Sequence, residues 1–326
     1  MSSKRERIEA AIKGEVADRA PVALWRHFPV DDQTPESLAE STARFQERFD
    51  FDLVKVTPAS SYCLRDWGVI DEWRGDPEGT RSYTKRIIES PEDWGRLAVL
   101  DPRSGQLGDQ LTCLGLLRER FGRDVPMIQT IFNPLAQAKN LAGGARLLEH
   151  LHQAPQLVER GLRVIRDTTL AFVEALQSIQ IDGIFFAVQH ASFHYFDGPT
   201  YARYGEAYDM PILEAANPWW LNVLHLHGEA VMFDIALRYP VQVVNWHDLE
   251  TPPSLSEGAQ QFKGAVCGGT RRDTLALGTP EDIRAETQAA LDTTGSKGVI
   301  ISTGCVIPIV TPEGNIRSVR NAVECA

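Results

Sequence analysis

The chain has 326 residues, 43% of them hydrophobic and 24% charged. That composition excludes disordered, collagen-like and low-complexity classes and leaves enough chain to bury a large core. Asp and Glu outnumber Lys and Arg by 44 to 33, a net charge of −11 with no basic block, so nucleic acid and anionic membrane surfaces are disfavoured partners. No apolar run approaches the ~20 residues that span a bilayer. The charged N-terminus lacks the apolar core of a signal peptide. Cys63, Cys113, Cys267, Cys305 and Cys325 are odd in number and show no CxxC spacing, which predicts free thiols in a reducing, cytoplasmic setting.

Residues 1–20 read as an N-terminal helical segment. A strand-then-helix rhythm follows. Short runs rich in β-branched and aromatic residues fall at 21–26, 52–58, 125–132, 183–189, 221–227, 241–247, 264–270 and 298–305. Most are continuously apolar, the pattern of strands covered on both faces. Amphipathic helical patterns occupy 35–49, 156–179, 279–294 and 311–324, with Thr279 and Thr311 as expected N-caps followed by proline. Eight strand–helix units without a linker predict one domain over 1–326, a (β/α)8 TIM barrel, with an insertion within 59–124. An open doubly wound sheet would need a glycine-rich turn after its first strand, and the sequence WRHFPVDD at 25–32 has none.

A barrel builds its site at the carboxyl ends of its strands. There the sequence offers His27, His190, His194, His225, His227 and His247, six of its eight histidines. In His225-Leu226-His227-Gly228 the two imidazoles, two residues apart on a strand, share one face. With the thiol of Cys305 they would give zinc three protein ligands and leave a fourth position open. The bland alternative is a hydrogen-bonded core histidine and a buried thiol. Arg26 is a candidate clamp for a carboxylate or phosphate. His247 and Asp248 are a candidate acid/base pair or outer support for a metal. Asn133, Gln189, His190, Trp246 and Arg271 are candidate substrate contacts, Trp246 equally a core aromatic and Arg271 equally a solvated surface residue. Cys63 is expected near the mouth, and Cys113, Cys267 and Cys325 as structural residues.

Three segments carry a resemblance that spans the chain: RERIEAAIKGEVADRAPVALWR at the start, FNPLAQAKNLAGG at 132–144, and STGCVIPIVTPEGNIRSVRNAVE at the end. Together they resemble the uroporphyrinogen decarboxylase superfamily, which implies a distorted (β/α)8 barrel with a deep polar cleft. The decarboxylases of that superfamily use two arginines, an aspartate and a histidine. Arg26 matches the first arginine, but Val30 stands at the second, no carboxylate falls at 59–61, Gln189 takes a serine position and Cys305 the histidine position. The zinc-dependent corrinoid methyltransferases of the superfamily carry His-x-Cys-Gly and a late Gly-Cys. His225-Leu226-His227-Gly228 and Gly304-Cys305 fit that frame, with histidine in place of the first cysteine. The resemblance therefore implies transfer of a methyl group between a corrinoid, free or on a partner protein, and a thiol or other nucleophile. It also implies Zn2+ on His225, His227 and Cys305, and a homodimer. A metal-free decarboxylase of a tetrapyrrole or other carboxylated substrate is the alternative, and a non-catalytic corrinoid or tetrapyrrole binder the third reading.

Overall fold

The computed structural model describes residues 2–324. Nine strands are present among the described residues: β1 (Val54–Val56), β2 (Ile70–Glu72), β3 (Ser82–Lys85), β4 (Met127–Phe132), β5 (Gly183–Val188), β6 (Val223–Leu226), β7 (Val243–Trp246), β8 (Ala265–Thr270) and β9 (Val299–Thr303). Seven of them form one parallel sheet in the order β1-β4-β5-β6-β7-β8-β9. All seven are buried along their whole length, as continuously apolar runs require when helices cover one face and the barrel interior the other. Helices alternate with the strands, among them Pro155–Leu176 before β5 and Pro280–Thr294 before β9.

The expected first strand at 21–26 is reduced to a single parallel bridge, Val22 to Ile301. That bridge closes the ring. The Ile301 N–H donates to Pro21 O at 2.9 Å, the Ala23 N–H donates to Ile301 O at 3.0 Å, and the Asp52 N–H donates to Val22 O at 2.9 Å. Pro21 has no N–H to extend a ladder, so a side chain takes over. The fully buried Asp52 carboxylate accepts from the Val22 N–H at 2.9 Å, from Arg19 at 2.6 and 3.1 Å and from Arg7 at 3.1 Å. Seven strands and this stitched segment make the closed α/β barrel.

Local signals set the helix ends. The Ser3 side chain and Glu6 form a reciprocal cap on Lys4–Lys13, and Thr279 with Asp282 does the same on Pro280–Thr294. Thr311 is not a cap: the last helix is Glu313–Ala322, Pro312 precedes it, and the Thr311 hydroxyl is buried without a partner. Between β1 and β4 lie the antiparallel pair β2–β3 and the helix Gly105–Phe121. Truncating Asp52 to alanine strands two arginines and the Val22 N–H in the interior. The expected loss is about 3–5 kcal/mol, read as a lower urea midpoint with secondary structure retained below it.

Candidate metal centre and its cavity

Four side chains converge where β6, β7 and β9 end. One ligand atom each from His225, His227, His247 and Cys305 lies within 4.8 Å of the other three. His225 is in β6 and its imidazole is held from behind. Asn245, opposite it in β7, donates its amide to Cys267 O at 2.8 Å and to Thr303 O at 3.0 Å. Its Oδ1 is therefore the acceptor for His225 Nδ1 at 2.7 Å, which puts the proton on Nδ1 and leaves Nε2 as the free donor. His227 presents Nδ1, 3.8 Å from Cys305 Sγ. His247 turns Nδ1 to Glu250 Oε2 at 3.0 Å, while its buried Nε2 has no hydrogen-bond partner among the described residues. Cys305 follows Gly304, where a Cβ would meet His247 Cα at 2.6 Å and Trp246 O at 2.8 Å. Only glycine lets β9 turn this closely over the end of β7.

The charges within this cluster compensate one another. Burial pushes the Cys305 thiol up, but the three imidazoles outweigh it and hold the thiol well below its ordinary range. Burial pushes His225 down. For His247 burial also acts downward, yet Cys305 and Glu250 raise it on balance. Three imidazole nitrogens and a thiolate, two of the rings fixed from behind and one nitrogen orphaned, fit the donor set and coordination number of zinc.

Beside the cluster is a cavity of about 260 Å3 whose walls include His27, Lys55, Lys139, Phe185, Gln189 and Tyr83. Lys55, in β1, is buried, with Nζ 4.4 Å from the Phe185 ring centroid and 3.3 Å from Thr57 Oγ1. It has no carboxylate partner among the described residues, and burial pushes it down to about 7. Burial likewise pushes His27 down to about 4. Gln189 lines the cavity with its Oε1 buried and unpartnered.

Several expected site residues lie elsewhere. Arg26 turns away from the cavity into a separate cleft, where its guanidinium packs 5.1 and 5.3 Å from the Phe28 and Phe45 rings and donates to Ile309 O at 3.2 Å. Asn133 is fully buried, caps Pro134–Ala142 and donates to Asp209. Trp246 is a core residue packed on Phe233, with its N–H on Pro253 O at 2.8 Å. Asp248 does not pair with His247: both lie in the turn after β7, and the Asp248 carboxylate accepts the Gly269 N–H at 3.1 Å instead. Arg271 is exposed and shares a second cleft with Asp248. His190 is buried against Tyr195 and Phe196, and burial pushes it down to about 3. Cys63, Cys113 and Cys267 are buried free thiols that burial pushes up, Cys267 to about 12. Cys325 lies outside the described residues.

His247 was expected as a relay or outer support, and the structure brings it into the donor set. Glu250, Asn245 and Lys55 were not singled out. Each had a signal: Glu250 stands three residues after His247, Asn245 is a polar residue inside an apolar strand, and Lys55 is the lone charge within LVKV.

The uroporphyrinogen decarboxylase (URO-D) family model matches residues 3–325, and the chain belongs to that family. Within it, the chain is 25% identical to the methylcobamide:CoM methyltransferase MtbA of Methanosarcina mazei, over 99% of this chain and 97% of that protein. It is 22% identical to the MtaA methyltransferase of Methanosarcina barkeri, over 96% and 95% of the two chains. The solved structure of a methyltransferase from Methanosarcina mazei superposes with a TM-score of 0.86 over 99% of both chains at 19% identity. A B12-independent methionine synthase from Shewanella shares the fold more distantly, with a TM-score of 0.52 at 12% identity over 94% of this chain and 91% of that one.

The Lys55 environment has a measurable consequence. Its proton leaves near pH 7 in the folded protein rather than near the ordinary 10.5. Between those values the unfolded chain holds a proton that the folded chain lacks, so this group makes stability rise with pH. Below pH 7 the penalty for burying the charge is fully present. In metal-free protein, Lys55→Met should therefore be more stable than wild type at pH 6.5. Denaturation at a series of pH values should show that advantage shrinking between pH 7 and 10, and a constant difference would refute the assignment.

Proposed function

We propose that the chain is a methyltransferase that moves a methyl group from a methylated corrinoid to a small nucleophilic acceptor held in the cavity. The observation that carries this reading is the four-donor cluster beside that cavity. The full-length similarity to proteins named methylcobamide:CoM methyltransferases supports the chemistry.

Zinc would be held by His225, His227 and Cys305 with His247 as the fourth donor, and an acceptor would have to join as a fifth ligand. The ion's positive charge would keep a thiol or other acidic acceptor deprotonated near neutral pH. One thiolate and three neutral imidazoles leave such a site with a net charge of about +1, whereas a second thiolate in place of an imidazole would neutralise it. The site thus favours lowering an acceptor's pKa. The acceptor gives up its proton, its lone pair takes the methyl carbon, and the corrinoid keeps the electron pair of the broken carbon–cobalt bond.

The protein's own residues hold the acceptor and exclude water. Phe185 forms an apolar wall, and Lys55 and Lys139 line the cavity without a carboxylate partner among the described residues, whereas Arg81 is paired with Asp32 and Glu78 with Arg272, which suits an acceptor bearing an acidic group. A cavity of about 260 Å3 is below the ~300–1,000 Å3 that encloses a drug-sized ligand. A corrinoid, free or carried by a partner protein, therefore stays outside and presents only its methyl group. The same volume, and Arg26 facing another cleft, count against the tetrapyrrole decarboxylase and the tetrapyrrole-binder readings.

Purified protein should carry about one zinc per chain. His227→Ala or Cys305→Ser should weaken zinc retention at least about a hundredfold and abolish acceptor-dependent loss of the methylcobalamin spectrum. Zinc-free wild type that demethylates methylcobalamin at the full rate would overturn the reading.

A further inference from the structure

His247 differs from the other donors in how it is held. Its Nδ1 rests on Glu250, whose side chain is 40% exposed and would be mobile if nothing braced it. Arg272 supplies the brace. It follows β8, with its side chain only 16% exposed, and its Nη2 lies 3.4 Å from both carboxylate oxygens of Glu250. Its Nη1 reaches across to Glu78 at 2.5 Å.

Glu78 lies on the connection between β2 and β3, far from β7 in sequence, and lines the mouth of the cavity. That connection is docked at its end by Arg81, which pairs with Asp32 at 2.6 Å and donates to Pro29 O, and at two further points. Pro77 O accepts the Ile309 N–H at 2.7 Å. Gly79, at φ +79°, sits so close to His27 that a Cβ would fall 2.6 Å from His27 Cβ. The loop lining the cavity and the His247 imidazole in the cluster beside it are therefore joined by one continuous chain of charged contacts: Glu78, Arg272, Glu250, His247.

The geometry points to Glu78, Arg272 and Glu250 as positioning residues that couple docking of the 73–81 loop to the orientation of His247. With the loop seated, Arg272 is pinned from both sides and holds Glu250 on Nδ1, so Nε2 points into the cluster. With the loop lifted, Arg272 keeps only its 3.4 Å contacts to a half-exposed carboxylate, and the His247 ring is free to turn. Opening the cavity to exchange a ligand thereby weakens one of the four donors, and closing it restores that donor. The coupling is reciprocal: a group that needs His247 also favours the seated loop. This inference rests on the metal reading of the cluster, but the mechanical linkage does not need an ion.

Two measurements on the full chain separate them. In metal-free protein, Glu250→Gln should speed hydrogen exchange of the amides at 76–80 while the barrel amides keep their protection. Unchanged exchange there would overturn the linkage. In a chelator competition with zinc, Glu250→Gln should weaken binding about tenfold. Glu78→Gln, which touches no donor, should weaken it about threefold, and zinc should slow exchange at 76–80 in wild type. Zinc affinity of Glu78→Gln equal to wild type would overturn the coupling. A wild type that takes up no zinc would sink the proposed function and leave the exchange measurement to decide the linkage.

Discussion

Ring closure is the constraint on which the rest of this molecule depends. A parallel sheet that stayed open would leave β6 and the end of β9 on separate strands of a twisted surface, with their side chains pointing at different solvent. Closure turns their carboxyl ends toward a common axis, and here it is accomplished by one backbone bridge and one buried carboxylate. Asp52 does what a longer strand ladder would otherwise do. It accepts the Val22 N–H and balances two arginines where Pro21 cannot donate. A charged group buried in this way is tolerated because every oxygen is matched.

Inside the ring the electrostatic logic reverses that of the whole protein. The chain is acidic, at −11, yet the cavity wall carries more cationic than anionic side chains, and Lys55 there has no carboxylate partner among the described residues. Burial keeps His27 and His225 neutral, which preserves their lone pairs, while the imidazoles together favour the thiolate of Cys305. Neutral nitrogen donors, an ionised sulfur and a cationic wall are mutually consistent. The ionised sulfur makes a cation at the cluster less costly to hold, and the cationic wall does the same for an anion in the cavity.

Membership of the uroporphyrinogen decarboxylase family accounts for the framework and leaves the chemistry to the site. The arginine that the family resemblance offered as a substrate clamp stacks on phenylalanines in another cleft. The residues that do meet are the histidines and the cysteine, and the support behind them comes from Asn245 and Glu250. A fold is shared across many reactions, and in this chain the difference between them comes down to which strand-end side chains face inward.

Local rules account for the part of the molecule that was legible from the chain alone. Continuous apolar runs marked seven of the eight expected strands, Thr279 marked a helix start where Thr311 did not, and the two-residue spacing of His225 and His227 placed both imidazoles on one face. The late Gly-Cys gave the sulfur. Tertiary structure decided everything that depended on direction across the ring. His247 and Asp248 are neighbours in the chain, but the turn after β7 sends one into the cluster and the other to Gly269. Arg26 ends the correct segment, but the segment is too short a strand to aim it inward. Asn133 and Trp246 stand at strand ends and are absorbed by capping and packing. The Glu250–Arg272, Lys55–Phe185 and Glu78–Arg272 contacts join residues distant in sequence. No local periodicity encodes them, because their partners are defined only once the barrel has closed.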